Sequence, residues 1–489
     1  MKKIAFADAL AHVKAVTPVY AMRVVPLEAA VGKVLAEPLY AQYSVPLSPV
    51  SAMDGFAVCA AETKAAAENN PLVLTNFARV NTGNIVRDEF DAVIMIEDVE
   101  FDGTETPTEI TIRSPIKAGR NVRATGEDIE GGRMVLPAGA KIRAFDIGAL
   151  AGYGITKAAV RSVSVGIIPT GSELVPVGTV PKAGEVVESN SIMTASYLKE
   201  FGVDVICYPP VADNRELIRA AIEKAVSENE IVLLSAGSSM GAKDFTASAI
   251  AELGEVIFHG VRMKPAKPSM MGIVQGKPVI GMPGFPLAAQ TTLRLFVREL
   301  LEDWGFAGPL QETVTAEAGC DIKSDADIDE FRYAAAAEVE GRVVVLPQVR
   351  SASMQMNGIR SNGYIHIPQG TKEIKAGETV TLILNVAADE LKDTILLGGC
   401  YSTGSEQLVV RAAAEGIRVR FGDITTTDVS MLKTRGCYGV CVREDADLSE
   451  LDGIPVERFA LGDGTMLLMR ADADDSEASI LRRIAGGTA

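Results

Sequence analysis

Val163-Ser164-Val165-Gly166-Ile167-Ile168-Pro169-Thr170-Gly171-Ser172-Glu173-Leu174 decides the fold. An apolar, β-branched run of strand length breaks at a proline into a Gly-containing turn that carries a carboxylate. The same grammar recurs downstream. A helix is expected at Met193–Phe201, a strand at Asp204–Tyr208, a helix at Arg215–Ser227 and a strand at Ile231–Ser235. Further units follow as helix Phe245–Leu253, strands Glu255–His259 and Pro278–Gly281, and helix Leu287–Trp304. Repeated βα units of this length predict a parallel sheet with helices on both faces, a three-layer α/β/α domain over residues 161–305. Ligands of such sheets bind beyond the carboxyl ends of the strands.

The flanks read differently. Residues 1–40 are expected to be helical, opened by Phe6-Ala7-Asp8-Ala9-Leu10 and broken by Ser44-Val45-Pro46-Leu47-Ser48-Pro49. Short β-type runs at 72–74, 92–96 and 109–112 predict a β-rich unit over 44–140, inserted into a helical one made of 1–43 and 141–160, with a helix returning at Phe145–Ala151. Runs at Arg342–Leu346 and Thr379–Leu384 predict a β-barrel over 306–388. Residues 389–489 restart as strand, helix, strand, the opening of a further α/β unit too short for two lobes. At 489 residues, and roughly 100–200 residues per domain, several cores are required.

Bulk chemistry excludes several functions. The net charge is −17 with no basic tail or stripe, so a nucleic-acid partner would be repelled. No apolar run is long enough to span a bilayer, and the stretch Met1-Lys2-Lys3-Ile4-Ala5-Phe6-Ala7-Asp8 places a charge, Asp8, too early for a secretory signal. A cytoplasmic location without membrane contact is the expectation. The six cysteines form no paired CxxC sets, and Cys437 and Cys441 sit in an apolar run that predicts buried thiols. The three histidines lie far apart in sequence, which disfavours a His-based metal site or triad.

An anionic ligand must therefore be held locally. Gly171-Ser172 and Ala236-Gly237-Ser238-Ser239-Met240-Gly241 let backbone N–H groups approach an anion, and a following helix N-terminus adds a favourable dipole. Pro283-Gly284-Phe285-Pro286 forms a third such loop. Glu173 either caps its turn or faces the ligand; Asp213 has capping-box spacing to Glu216; Asp244 lies near a helix start. As a set, these acids suit Mg²⁺, with Asp213 and Asp244 as its ligands. In Met263-Lys264-Pro265-Ala266-Lys267-Pro268 two prolines stiffen the backbone around two ammonium groups, with Lys243 nearby in sequence. Asp54 and Asp128 occupy ordinary Asp/Gly turns by turn chemistry alone.

In order, SAMDGFAV (51–58), TG (82–83), GEDI (126–129), PTGSEL (169–174), SNS (189–191), the Asp213 loop, GAKDF (241–245), MKPAKP (263–268), GMPGFP (281–286) and SNG (361–363) resemble the molybdopterin molybdenumtransferase family, the MoeA and gephyrin E-domain proteins. The resemblance spans about residues 1–386. It implies a molybdopterin-binding α/β domain and a homodimer whose site combines that domain of one subunit with the Asp54 and Asp128 segments of the other. It also implies a reaction: molybdate enters the dithiolene of adenylylated molybdopterin, and AMP leaves. Asp54, Asp128, Glu173, Asp213 and Asp244 become catalytic or metal-positioning acids. Thr82, Gly171, Ser172, Gly237, Ser238, Ser239, Gly241, Lys264 and Lys267 become ligand contacts, and Pro283 and Pro286 rigid loop formers. A molybdopterin adenylyltransferase is the implied partner.

The chain departs from the family pattern at Ala236 and Met240, at Phe285 where an asparagine is usual, and at Pro49 and Val50. These departures leave room for tungstate in place of molybdate, or for a non-catalytic pterin-binding or scaffold paralog. The tail after 390 resembles one shortened lobe of a periplasmic-binding-protein-like domain, in which Ser402, Thr403 and Ser405 either hold a small anion or serve as ordinary loop residues.

Overall fold

A computed structural model describes residues 3–236, 245–422, 429–473 and 476–486. The chain divides into two compact units, Tyr20–Ser162 and Met1–Val19 with Val163–Ala489.

In the 20–162 unit the expectation of helix across residues 1–40 is corrected. The α-helix there is confined to Phe6–Lys14, with one 3-10 turn at Leu27–Ala30, whereas Ala21–Pro26 is a strand paired antiparallel with Lys157–Ser162. Val24, Val25 and Pro26 are poor helix residues, and the partner strand lies more than a hundred positions on, out of reach of local periodicity. Val25, Leu27, Leu35, Ile142, Leu150, Ile155 and Val160 form the core beneath that ribbon, and helix Asp146–Gly152 returns as expected. The three predicted β-runs are strands at Leu72–Leu74, Ala92–Met95 and Ile110–Ile112. Gly55–Val58 lies between Ala78–Val80 and Ala92–Met95, and a Cβ on Gly55 would sit 1.9 Å from the Ile94 carbonyl oxygen. Only glycine fits that approach.

In the second unit, α1 (Phe6–Lys14) packs Ala9 and Val13 into the core of the α/β domain, where the Trp304 indole donates to the Val16 carbonyl at 3.3 Å. The domain runs β1 (Ser164–Pro169), α2 (Asn190–Lys199), β2 (Asp204–Cys207), α3 (Arg215–Glu228), β3 (Ile231–Ala236), α4 (Phe245–Leu253), β4 (Gly254–His259), β5 (Met263–Lys264), β6 (Met270–Val274), β7 (Lys277–Pro283), α5 (Pro286–Thr292) and α6 (Arg298–Asp303). The sheet order is β2-β1-β3-β7-β6-β4. Pairings β2–β1–β3–β7 are parallel, but β6 is antiparallel to both neighbours. The all-parallel expectation is corrected here. Gln275 and Gly276, with φ of 52° and 78°, turn β6 directly into β7, the left-handed pair that a two-residue hairpin requires. The helix expected at 287–304 runs through α5 and α6 and contains a π-type turn at Leu293–Val297. Just before it, the Thr291 and Thr292 hydroxyls donate to the Leu287 and Ala288 carbonyls, back-bonding that loosens a helix.

The barrel is closed. β8 (Thr313–Ala318), β9 (Asp329–Val339), β10 (Arg342–Pro347), β11 (Gly363–Ile367) and β12 (Thr379–Leu384) follow the order β9-β10-β8-β12-β11, and β11 pairs back onto β9. β5 adds to its rim, Met263 opposite Asp329 and Lys264 opposite Glu330. The tail builds a five-stranded sheet from β13 (Thr394–Gly399), β14 (Arg418–Phe421), β15 (Gly439–Arg443), β16 (Val456–Ala460) and β17 (Thr465–Arg470), in the order β14-β13-β15-β17-β16. Helices α7 (Thr403–Ala414) and α8 (Ser476–Gly486) accompany it. Ala334–Ala337 of β9 and Ile395–Leu397 of β13 belong to one continuous buried core.

Candidate functional site

The carboxyl ends of β1, β3 and β7 meet at one edge of the sheet. Pro169 pairs with Ser235 and Ala236 with Pro283, while the Thr170 N–H donates to the Ser235 carbonyl and the Gly171 N–H to the Val211 carbonyl. This register draws the Gly171 turn against the Asp213 loop. Ser172 and Asp213 then bond reciprocally: the Ser172 N–H reaches the Asp213 carboxylate at 3.4 Å, and the Asp213 N–H donates to Ser172 Oγ at 3.2 Å. Gly171 has φ +147°, and a Cβ there would lie 2.8 Å from the Glu173 carboxylate. Gly171, Ser172, Glu173 and Asp213 thus form one cluster. The capping-box reading of Asp213 is corrected: the N-cap of α3 is Asn214, whose side chain accepts from the Leu217 N–H at 3.0 Å. Asp213 precedes the helix, and its carboxylate turns to Ser172 instead of capping α3.

Asn190 is a residue that sequence reasoning placed only inside a matched motif. Helix α2 begins at Asn190 rather than at Met193, so its first turn is buried under the sheet edge. Asn190 Nδ2 donates to Ser235 Oγ at 3.1 Å and to the Gly284 carbonyl at 2.9 Å, tying the β3 and β7 loops together, while its Oδ1 is buried without a partner among the described residues. Pro286 occupies the first turn of α5, where its missing N–H costs nothing. Gly237, Ser238, Ser239, Gly241, Lys243 and Asp244 lie outside the described residues.

Lys264, Lys267 and Pro283 come together around a cavity of about 880 Å³, which Phe285, 60% exposed, also lines. Lys3 stands there too. Ile4 adds as an edge bridge to Val261, with its N–H donating to the Gly260 carbonyl, and this carries Lys3 beside Lys267. The neighbouring Lys267 ammonium holds Lys3 below the usual lysine range, with burial adding to the shift. Sequence spacing gave no signal for Lys3, since the two segments are more than 250 positions apart.

In the 20–162 unit Asp54 and Thr82 meet. The Asp54 carboxylate accepts from the Thr82 N–H at 2.6 Å and from its hydroxyl at 3.0 Å. The backbone bond first, then the hydroxyl, holds Asp54 below the ordinary carboxylate range. Asp128 accepts instead from the Tyr153 hydroxyl at 3.0 Å, a bond that raises the Tyr153 phenol.

With this geometry in place, family models match three regions: the MoeA N-terminal region (domains I and II) at residues 4–154, a molybdopterin-binding domain at 166–303, and the MoeA C-terminal region (domain IV) at 315–384. A Methanocaldococcus jannaschii protein named for molybdopterin biosynthesis is 31% identical over 375 residues, 73% of this chain and 90% of its own length. The chain belongs to the MoeA family. Its MoeA fold is shared with a solved molybdopterin biosynthesis MoeA protein from Pyrococcus horikoshii, at 30% identity and TM-score 0.66 over 79% of this chain and all of that one. A molybdopterin molybdenumtransferase from Staphylococcus epidermidis is 28% identical, over 76% of this chain and 93% of its own length.

Other expectations resolve structurally. Asn362 of the SNG motif bonds both backbone groups of Ala336 inside the barrel. In the tail, Ser402 and Ser405 cap α7 reciprocally, Ser402 Oγ meets Thr465 Oγ1 at 3.1 Å, and the Asp463 carboxylate takes the Gly404 N–H at 2.6 Å. That helix start is already filled by a carboxylate, so Ser402 and Ser405 act as ordinary loop residues. Cys437 and Cys441 are buried thiols, and burial pushes Cys441 far up. Among the described residues no helix is long and apolar enough to cross a membrane, and no group of three or more His, Cys, Asp or Glu side chains is placed to hold a metal ion.

Proposed function

We propose that this MoeA-family chain acts in molybdenum cofactor biosynthesis as a molybdopterin molybdenumtransferase, inserting molybdate into adenylylated molybdopterin with release of AMP. The observation that carries the reading is the gathering of Gly171, Ser172, Glu173 and Asp213 at the strand ends of a molybdopterin-binding domain. Backbone N–H groups and hydroxyls there suit an oxyanion, and the carboxylates suit proton transfer as molybdate oxygens leave. Among the described residues the exposed Asp213 carboxylate accepts one bond, from the Ser172 N–H at 3.4 Å, an oxygen donor compatible with a hard cation. With Asp244 it would hold Mg²⁺, which supplies charge neutralisation for the phosphates.

The purified chain, given adenylylated molybdopterin, molybdate and Mg²⁺, is expected to release AMP, and Asp213→Asn to lower that rate by roughly a hundredfold or more. No AMP under molybdate or tungstate would overturn the reading. The exposed aromatic Phe285 supports a second reading, a non-catalytic pterin-binding paralog; tight cofactor binding without turnover would select it. The proposal further includes a homodimer whose site takes Asp54 and Asp128 from the partner subunit, a cytoplasmic location, and supply of substrate by a molybdopterin adenylyltransferase. The working domain map is 1–43 with 141–160, 44–140, 161–305, 306–388 and 389–489, the last a shortened binding-protein-like lobe; limited proteolysis tests those boundaries.

A further inference from the structure

The cavity beside the Pro283 loop carries more positive charge than two lysines supply. Lys3, Arg262, Lys264 and Lys267 all line it, and none of them has a carboxylate within ion-pair distance among the described residues. The Nε of Arg262 is buried and has no hydrogen-bond partner among the described residues. Two ammonium groups held side by side, with a guanidinium on the same wall, are unfavourable unless an anion completes them. Asp325 and Asp327 sit in the same cavity, and Asp325 already accepts the Asp327 N–H at 3.1 Å. Four cations against two carboxylates leave two net positive charges in a chain whose overall charge is −17. That local excess matches in magnitude the two negative charges of a diphosphate diester, and it exceeds what one phosphodiester needs.

We propose that Lys3 and Arg262 join Lys264 and Lys267 as a four-cation cradle for the diphosphate that links pterin to adenosine in the substrate. This assignment rests on the proposed function for the identity of the substrate, whereas the cradle itself rests on the geometry. The backbone explains how two remote segments build it. Ile4 bridges Val261, and the Arg262 N–H donates to the Ile4 carbonyl at 2.8 Å, so the N-terminal segment and the strand exit are locked side by side. Both new cations reach the cavity from that seam.

Calorimetric titration of the full chain with inorganic pyrophosphate and with inorganic phosphate tests the cradle without any pterin or turnover. Wild type is expected to bind pyrophosphate at least tenfold more tightly than phosphate, and Lys3→Met to weaken pyrophosphate binding about tenfold, with Lys3→Arg restoring it. Arg262→Met is expected to behave like Lys3→Met, with an unchanged circular dichroism spectrum excluding misfolding. Equal affinity for the two anions overturns the diphosphate assignment, and an unaltered pyrophosphate affinity in Lys3→Met overturns the role of Lys3. If the cradle binds as expected while no AMP is ever released, the functional reading fails and the cradle stands. If AMP is released and Lys3→Met leaves both pyrophosphate affinity and the KM for substrate unchanged, the cradle fails and the functional reading stands.

Discussion

Thr82 sets the protonation of Asp54 through two bonds, one of which survives substitution. Thr82→Val keeps the backbone donor and removes the hydroxyl, so the Asp54 carboxyl rises from its depressed value toward the ordinary range. If ionised Asp54 serves the reaction, the acidic limb of the pH–rate profile moves to higher pH in the variant while the alkaline limb stays; a superimposable acidic limb would count against that role. Gly171 has a different constraint. Gly171→Ala imposes a left-handed φ on a residue with a Cβ and pushes that Cβ against the Glu173 carboxylate. The expected cost is about 1–3 kcal/mol of stability by urea denaturation, with a loss of AMP release that Glu173 displacement explains.

At the scale of elements, two buried polar clusters hold the loops in place. Asn190 joins the starts of the β3 and β7 loops, and Asn190→Ala leaves Ser235 and the Gly284 carbonyl without that donor, an expected loss of about 1–3 kcal/mol. Glu330, 2% exposed, lies opposite Lys264 and accepts from Arg332, Arg350 and Ser324. Burial alone would raise its carboxyl, but Arg350 and Arg332 outweigh burial and hold it below the ordinary value. A depressed folded-state value means stability that is present above the unfolded-state value of about 4.3 and is lost as pH falls through the folded one. Glu330→Gln is therefore expected to cost about 3–5 kcal/mol near neutrality, and the gap between wild type and variant to close as the solution is acidified. A gap independent of pH in denaturant titrations would show that the charge is not what stabilises this strand edge.

For the whole molecule, the barrel and tail are one folding problem. Tyr438 donates to the Glu338 carbonyl at 2.7 Å and Gln348 to the Phe421 carbonyl at 2.6 Å, above a core that runs from Ala334–Ala337 into Ile395–Leu397. Deleting residues 389–489 is expected to expose apolar barrel surface, lower the melting temperature and increase dye binding or aggregation on size-exclusion chromatography. A truncated chain as stable as the full one would mean that the two cores are separable. The proposed dimer has its own test at this scale: mixing Asp54→Ala with Asp213→Ala chains should restore AMP release if each site draws on both subunits.

Much of the α/β domain was legible because strand and helix periodicities are local: β1, β3 and α4 fall within a residue or so of their expected ends. The hairpin at Gln275-Gly276 was missed because its signal is a pair of left-handed φ values on a residue pair that sequence patterns do not mark. The strand at 21–26 was misread because its reason to be extended lies at 157–162. For the site, local sequence marked Glu173, Lys264 and Lys267 on turns and strand ends, whereas Asp54 read as an ordinary turn and Asp213 as a helix cap until the family resemblance joined them. Only the tertiary structure decided that Asp213 leaves its helix to meet Ser172, that Asn190 is buried beneath the loops, and that Lys3 stands beside Lys267. The physical reason is range. Turn chemistry and periodicity act over a few residues, whereas pairing registers and charge clusters depend on which distant segments the core brings together.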